Sequence, residues 1–94
     1  MTPEGKVKKK VKKFLDDNKI YYVMTITGGF GNSGAPDFLC CHRGYFIGIE
    51  CKANGNTPTA LQKDNMDRIV ESGGRAFVVD EDLVDLLDDI FEMR

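Results

Sequence analysis

Residues 37–52, DFLCCHRGYFIGIECK, constrain the fold of this chain more than any other stretch. Two runs rich in strand-favouring residues flank Arg43-Gly44, a pair suited to a tight two-residue hairpin connection. The spacing predicts strands over 37–42 and 45–52 and dictates their register. With Arg43 and Gly44 as the turn, His42 faces Tyr45, paired positions sum to 87, and Asp37 lies opposite Glu50. Directly opposed residues share a face of the sheet with Cβ atoms roughly 4.5–5.5 Å apart. A slip of one residue would set Asp37 against Ile49 and send the two acids to opposite faces. Lys52, two positions beyond Glu50, points to the same side because strand side chains alternate. Two carboxylates so placed repel, which a fold avoids unless a cation sits between them or one of them keeps its proton.

The rest of the chain reads as elements that pack on this hairpin. Thr2-Pro3 is a helix start, and Val7, Val11, Phe14 and Leu15 recur at helical spacing, so a helix is expected over about 3–17. Residues 20–27, IYYVMTIT, are strand-like in composition. Thr57-Pro58 repeats the Thr-Pro start and opens a second helix, with Gln62, Met66, Ile69 and Val70 as its inward stripe and Ser72-Gly73-Gly74 as its stop. Residues 75–79, RAFVV, form a fourth strand. Asp80-Glu81-Asp82 then opens an acidic helix with Leu83, Leu87, Ile90 and Phe91 inward. The order α-β-β-β-α-β-α over 1–94 describes a single α/β domain, a mixed sheet flanked by helices.

At 94 residues the chain has a small core, which a homodimer would enlarge. No apolar run approaches the ~20 residues of a membrane span, and no apolar segment follows the N-terminal lysines as in a signal peptide. The three cysteines, Cys40, Cys41 and Cys51, lack zinc-type spacing and read as reduced thiols of a cytoplasmic protein. The net charge of −2 conceals a polarity: residues 1–20 carry seven lysines against three acids, and residues 80–94 seven acids against Arg94. A local basic face serves a phosphate backbone whatever the total charge.

Residues 29–34, GFGNSG, spell G-x-G-x-x-G, which suggests a dinucleotide loop. That motif works at a helix N-terminus, and here Ala35-Pro36 and a strand follow, so no nucleotide cofactor is expected. The glycines mark either a flexible turn or a backbone, Ser33 included, that must approach a ligand closely. Glu4 extends the inward stripe of helix one and Gln62 heads that of helix two, so both polar groups aim at the sheet. Each also has a local explanation, the helix dipole for Glu4 and a cap for Gln62. Asp37, Glu50 and the Cys51 carbonyl are oxygen donors suited to Mg²⁺, with Lys52 at hand to assist a water or to stabilise charge on a phosphoryl group.

Pro36-Asp37, twelve intervening residues and Glu50-Cys51-Lys52 resemble the PD-(D/E)xK nuclease superfamily. Gly34-Ala35-Pro36-Asp37 together with Gln62 narrows the resemblance to its VRR-NUC branch. The resemblance implies the α-β-β-β-α-β core of restriction endonucleases, Asp37 and Glu50 as metal ligands and Lys52 as the catalytic lysine. It further implies Glu4 as an acid near the metal, Gln62 as a positioning residue, and Mg²⁺- or Mn²⁺-dependent cleavage of DNA. The small stand-alone phage and bacterial members resemble dimeric resolvases of four-way junctions, which points to branched DNA as the partner. Lys6, Lys9, Lys10, Lys13, Arg43 and Lys63 are the candidate DNA-binding cations.

Other chemistries fit less well. Cys40 and His42 share a strand face but lie beside an exposed turn, which suits a buried thiol and a surface histidine better than a nucleophile and base. Tyr21 and Tyr22 are expected to pack and to cover an edge, with base stacking as the alternative. A non-catalytic DNA-binding module on the same fold gains nothing from opposed carboxylates, and a basic partner for the acidic C-terminal helix leaves Asp37, Glu50 and Lys52 unexplained.

Overall fold

A computed structural model of the chain describes residues 1–25 and 34–92. Helix α1 runs Pro3–Asp17, where the sequence places it: the Thr2 hydroxyl accepts a hydrogen bond from the Gly5 N–H at 3.0 Å, and Pro3 occupies the first turn. Val7, Val11 and Leu15 are its buried stripe. Asn18 closes it by donating its side-chain amide to the Phe14 carbonyl at 2.8 Å.

Strands β1 (Tyr21–Met24), β2 (Phe38–His42), β3 (Tyr45–Cys51) and β4 (Arg75–Val79) form one mixed sheet in the order β1-β2-β3-β4. Among the described residues β1 covers Tyr21–Met24 of the expected 20–27. Thr25 leaves it to clamp the start of the hairpin, donating its N–H to the Asp37 carbonyl at 2.9 Å and its hydroxyl to the Pro36 carbonyl at 2.7 Å; Ile26, Thr27 and Ser33 lie outside the described residues. The β2–β3 register is the expected one, with His42 facing Tyr45 and Phe38 facing Ile49. Arg43 and Gly44 both take positive φ, 51° and 85°, the geometry whose twist suits a two-residue hairpin.

Helix α2 spans Ala60–Glu71 and connects β3 to the parallel strand β4. It begins at Thr59 rather than at Thr57-Pro58, because Thr59 and Gln62 form a reciprocal capping box. Its inward face also differs from the expected one: Asn65 is its buried residue, Met66 and Ile69 are half-buried, and Val70, expected inward, is 55% exposed. The acidic C-terminal segment is not one continuous helix. A 3₁₀ turn, Leu83–Leu86, precedes a single α turn, α3 (Leu87–Ile90), and the Asp80 carboxylate accepts from the N–H groups of Asp82 and Leu83. Asp is a poor helix former, and Asp85, Asp88 and Asp89 repel one another at helical spacing. Val84 joins Leu87 and Phe91 in the core, while Leu83 and Ile90 are half-buried.

The core gathers α1 and the C-terminal segment against one face of the sheet, around Leu15, Phe38, Ile47, Ile49 and Val79, all fully buried. Helix α2 packs on β4 and β3 over the other face, where Gly48 leaves room for Ile69 and Pro36. The segment that delivers Asp37 lies directly on α2. A Cβ at Gly34 would fall 2.5 Å from both Leu61 Cγ and Asn65 Nδ2, and 2.8 Å from the Leu61 carbonyl oxygen. Since helix backbone cannot yield as a side-chain tip can, Gly34→Ala is expected to cost about 1–3 kcal/mol, read as a lower urea midpoint at unchanged m-value. An unaltered midpoint would contradict this close packing.

Candidate active site

Asp37 stands one residue before β2 and is 6% exposed. Thr25 holds its backbone, and its Oδ2 accepts a hydrogen bond from the Cys51 N–H at 2.9 Å, which ties the carboxylate to the far end of β3. Its Oδ1 lies 3.4 Å from Lys8 Nζ. Glu50, 2% exposed, sits on β3 with Oε2 at 3.3 Å from Lys52 Nζ. Its other oxygen, Oε1, is buried and has no hydrogen-bond partner among the described residues. Burial pushes the Glu50 carboxyl above its ordinary value, the charge of Asp37 raises it further, Lys52 opposes the rise, and Glu4 adds to it. The structure therefore brings Asp37, Glu50 and Lys52 together, with Glu4 half-buried and near enough to be felt.

Gln62 is half-buried, and its side chain belongs to the α2 cap: Oε1 accepts from the Thr59 N–H at 2.9 Å. Lys6, Lys9, Lys10 and Lys13 are exposed on α1, with Lys13 paired to Asp17 at 2.6 Å, and Lys63 is exposed on α2. Arg43 lies at the hairpin tip, six residues along β2 from Asp37 and so roughly 20 Å away. That position takes it away from the carboxylates, beside a groove with Phe14, Asn18, Asp88 and Glu92.

Two residues at the site escaped sequence reasoning. Lys8 stands four residues after Glu4 and beside the Val7–Val11 stripe, a spacing that could have marked it as facing the sheet. Thr25 acts through a contact eleven and twelve residues away in sequence, which no local pattern encodes.

The cysteines are structural. All three are free; Cys40 and Cys51 are buried, and burial pushes the Cys40 thiol up to about 12. Cys51 is raised by burial and then by the Asp37 and Glu50 charges. His42 rests edge-on against Phe91, with ring centroids 5.7 Å apart.

Among the described residues no three His, Cys, Asp or Glu side chains converge as a metal cluster. The donor set nevertheless fits a hard cation that takes one or two carboxylates and keeps water and phosphate as its other ligands. Among the described residues Glu50 Oε1 is an acceptor buried without a donor, and Asp37 Oδ1 has the Lys8 ammonium beside it at 3.4 Å. A cation between the two would relieve both the desolvation and the repulsion.

No protein-family model matches the sequence, and no curated protein matches it. A solved structure described as a VRR_NUC domain does match, with a TM-score of 0.76 and 28% identity over 95% of this chain and 97% of that one. This chain folds as a VRR_NUC domain. The VRR_NUC fold is restriction-endonuclease-like, and the α-β-β-β-α-β order, the mixed four-stranded sheet and the short C-terminal helix are its parts here. Among the described residues no helix is long and apolar enough to cross a membrane.

The buried carboxylate has a consequence for stability. Because Glu50 holds its proton more tightly in the folded than in the unfolded chain, its contribution is complete below the ordinary value of 4.5 and is lost as pH rises through the raised folded value. In EDTA, the melting temperature of the wild type minus that of Glu50→Gln should therefore fall as pH rises above the ordinary value of 4.5. A difference that stays constant or grows with pH would show that Glu50 ionises in the fold without penalty.

Proposed function

We propose that this chain is a divalent-metal-dependent endonuclease that hydrolyses phosphodiester bonds in branched or otherwise structured DNA, four-way junctions among its substrates, acting as a homodimer. The observation that carries the reading is Glu50 Oε1, a buried carboxylate oxygen with no donor among the described residues, set beside Asp37 and Lys52. A protein that only bound DNA would gain nothing from two buried acids facing a polyanion.

In this reading Asp37 and Glu50 hold Mg²⁺ or Mn²⁺, with the Cys51 carbonyl as a further oxygen donor. The metal supplies a Lewis acid for the phosphoryl oxygen and makes water a better nucleophile. Asp37 is preoriented for that task by the Cys51 N–H and the Thr25 clamp. Lys52, 9% exposed, presents its ammonium 3.3 Å from Glu50 Oε2, where it can assist removal of a proton from the attacking water or stabilise charge on the phosphoryl oxygens. Lys8, 3.4 Å from Asp37 Oδ1, would be released to meet a phosphate if a cation took its place at that carboxylate. Glu4 would add negative charge at the metal side, and Gln62, whose Oε1 is held by the α2 cap, would have only its side-chain NH₂ to offer a substrate.

Lys6, Lys9, Lys10 and Lys63, with Ser33 in the glycine-rich turn, contact the backbone, so binding weakens as salt rises. A dimer is supported by the small core and by Tyr21, Val23 and Met24, exposed apolar residues on the edge strand β1. The free thiols accord with a reducing compartment such as the cytoplasm.

The test is cleavage of linear, flapped and four-way DNA with Mg²⁺, Mn²⁺ or EDTA. The wild type should cut branched DNA only with metal, and Asp37→Ala and Lys52→Ala should each lose on the order of a hundredfold or more in rate. Equal cleavage by Asp37→Ala, or DNA binding without cleavage by the wild type, overturns the catalytic reading. A monomeric mass at micromolar concentration overturns the dimer.

A further inference from the structure

Beyond the carboxylates, a concavity of about 460 Å³ opens between the C-terminal half of α2 and β3, lined by Phe46, Asn65, Arg68, Ile69, Ser72 and Gly74. Phe46 is 47% exposed although it stands within a strand, and its ring pairs with no other aromatic among the described residues. Arg68, in the last turn of α2, forms no ion pair or side-chain hydrogen bond among the described residues. The helix dipole favours a cation there but does not explain an open aromatic face beside it. Gly74 forms part of the wall, where a Cβ would meet the Phe46 carbonyl oxygen at 2.9 Å.

The concavity borders the segment that carries Asp37. Asn65, in its lining, is the side chain that Gly34 packs against, and Gly34 begins the segment that ends in Asp37. Phe46 and Glu50 share a face of β3, four residues and so about 13 Å apart. At ~3.4 Å per stacked step, that separation spans no more than about four nucleotides of a strand whose phosphate lies at Glu50.

We propose that this concavity takes one unpaired nucleotide of the DNA substrate, its base on the Phe46 ring and its phosphate at the Arg68 guanidinium. An aromatic face, an unpaired guanidinium and the Ser72 hydroxyl together are the chemistry of a nucleotide rather than of an apolar ligand or a bare anion. The base must be unpaired, because within a duplex both its faces are covered by its neighbours. The site accordingly selects flapped or gapped branches over fully paired DNA. This deepens the proposed nuclease reading and rests on it for the identity of the ligand.

Binding, measured without cleavage, separates the two. In an Asp37→Ala background, fluorescence anisotropy with a flapped duplex and a blunt duplex of equal length gives a ratio of affinities. Phe46→Ala and, independently, Arg68→Ala should each lower that ratio by about five- to a hundredfold, with unchanged melting temperatures. Arg68→Lys, which keeps charge but not the planar fork, should lower it less. A ratio of one before mutation, or losses equal on both DNAs, overturns the nucleotide site. Wild-type cleavage without flap preference fails this proposal alone, and flap preference without wild-type cleavage fails the nuclease reading alone.

Discussion

The site stands on the pairing of β2 with β3. Arg43 and Gly44 turn the chain through positive φ, and every later residue of the hairpin follows from that two-residue count. One residue more in the turn would part Asp37 from Glu50. The hydrogen bond from the Cys51 N–H to Asp37 Oδ2 extends the pairing one step past the end of β2, by side chain rather than backbone. Thr25 fastens the same point from β1. Asp37 thus has little freedom, as a ligand or positioning group requires.

Rigid placement here works against stability. Glu50 is buried with one oxygen unmatched among the described residues, next to a second acid, and Lys52 and Lys8 neutralise the pair only in part. A fold selected for stability alone would place apolar residues at such positions. The strain is confined to the edge of a dry core, where Phe38, Ile49, Cys51 and Val79 are fully buried, so local repulsion is offset by dense packing around it. Burial of Cys51 also keeps its thiol protonated and inert beside the carboxylates.

Legibility followed sequence distance. The hairpin, α1 with its Thr2 cap, and β4 are readable because turn chemistry, caps and periodicity act within a few residues. The start of α2 was equally local, since Thr59 and Gln62 spell a capping box, yet Thr57-Pro58 offers a competing start. How α2 seats on the sheet, which the spacing of its apolar residues leaves open, puts Asn65 inward and Val70 outward. The C-terminal acids break a helix that its apolar spacing alone would permit. Arg43 illustrates a constraint that was present but unused, because a residue at the hairpin turn must stand far from the residue that begins the strand.

By itself the sequence determined the register that opposes Asp37 and Glu50, the face shared by Lys52, and the order of the elements, all consequences of backbone geometry over short spans. Only the tertiary structure decided which polar atoms have partners. It set Lys8 on Asp37, used Gln62 in a cap, left Glu50 Oε1 bare, and opened the Phe46–Arg68 concavity beside Gly34. Those outcomes depend on how a helix seats on a sheet, where a shift of one residue changes which side chains meet. Burial and charge pairing are long-range properties of the packed chain, and no local pattern carries them.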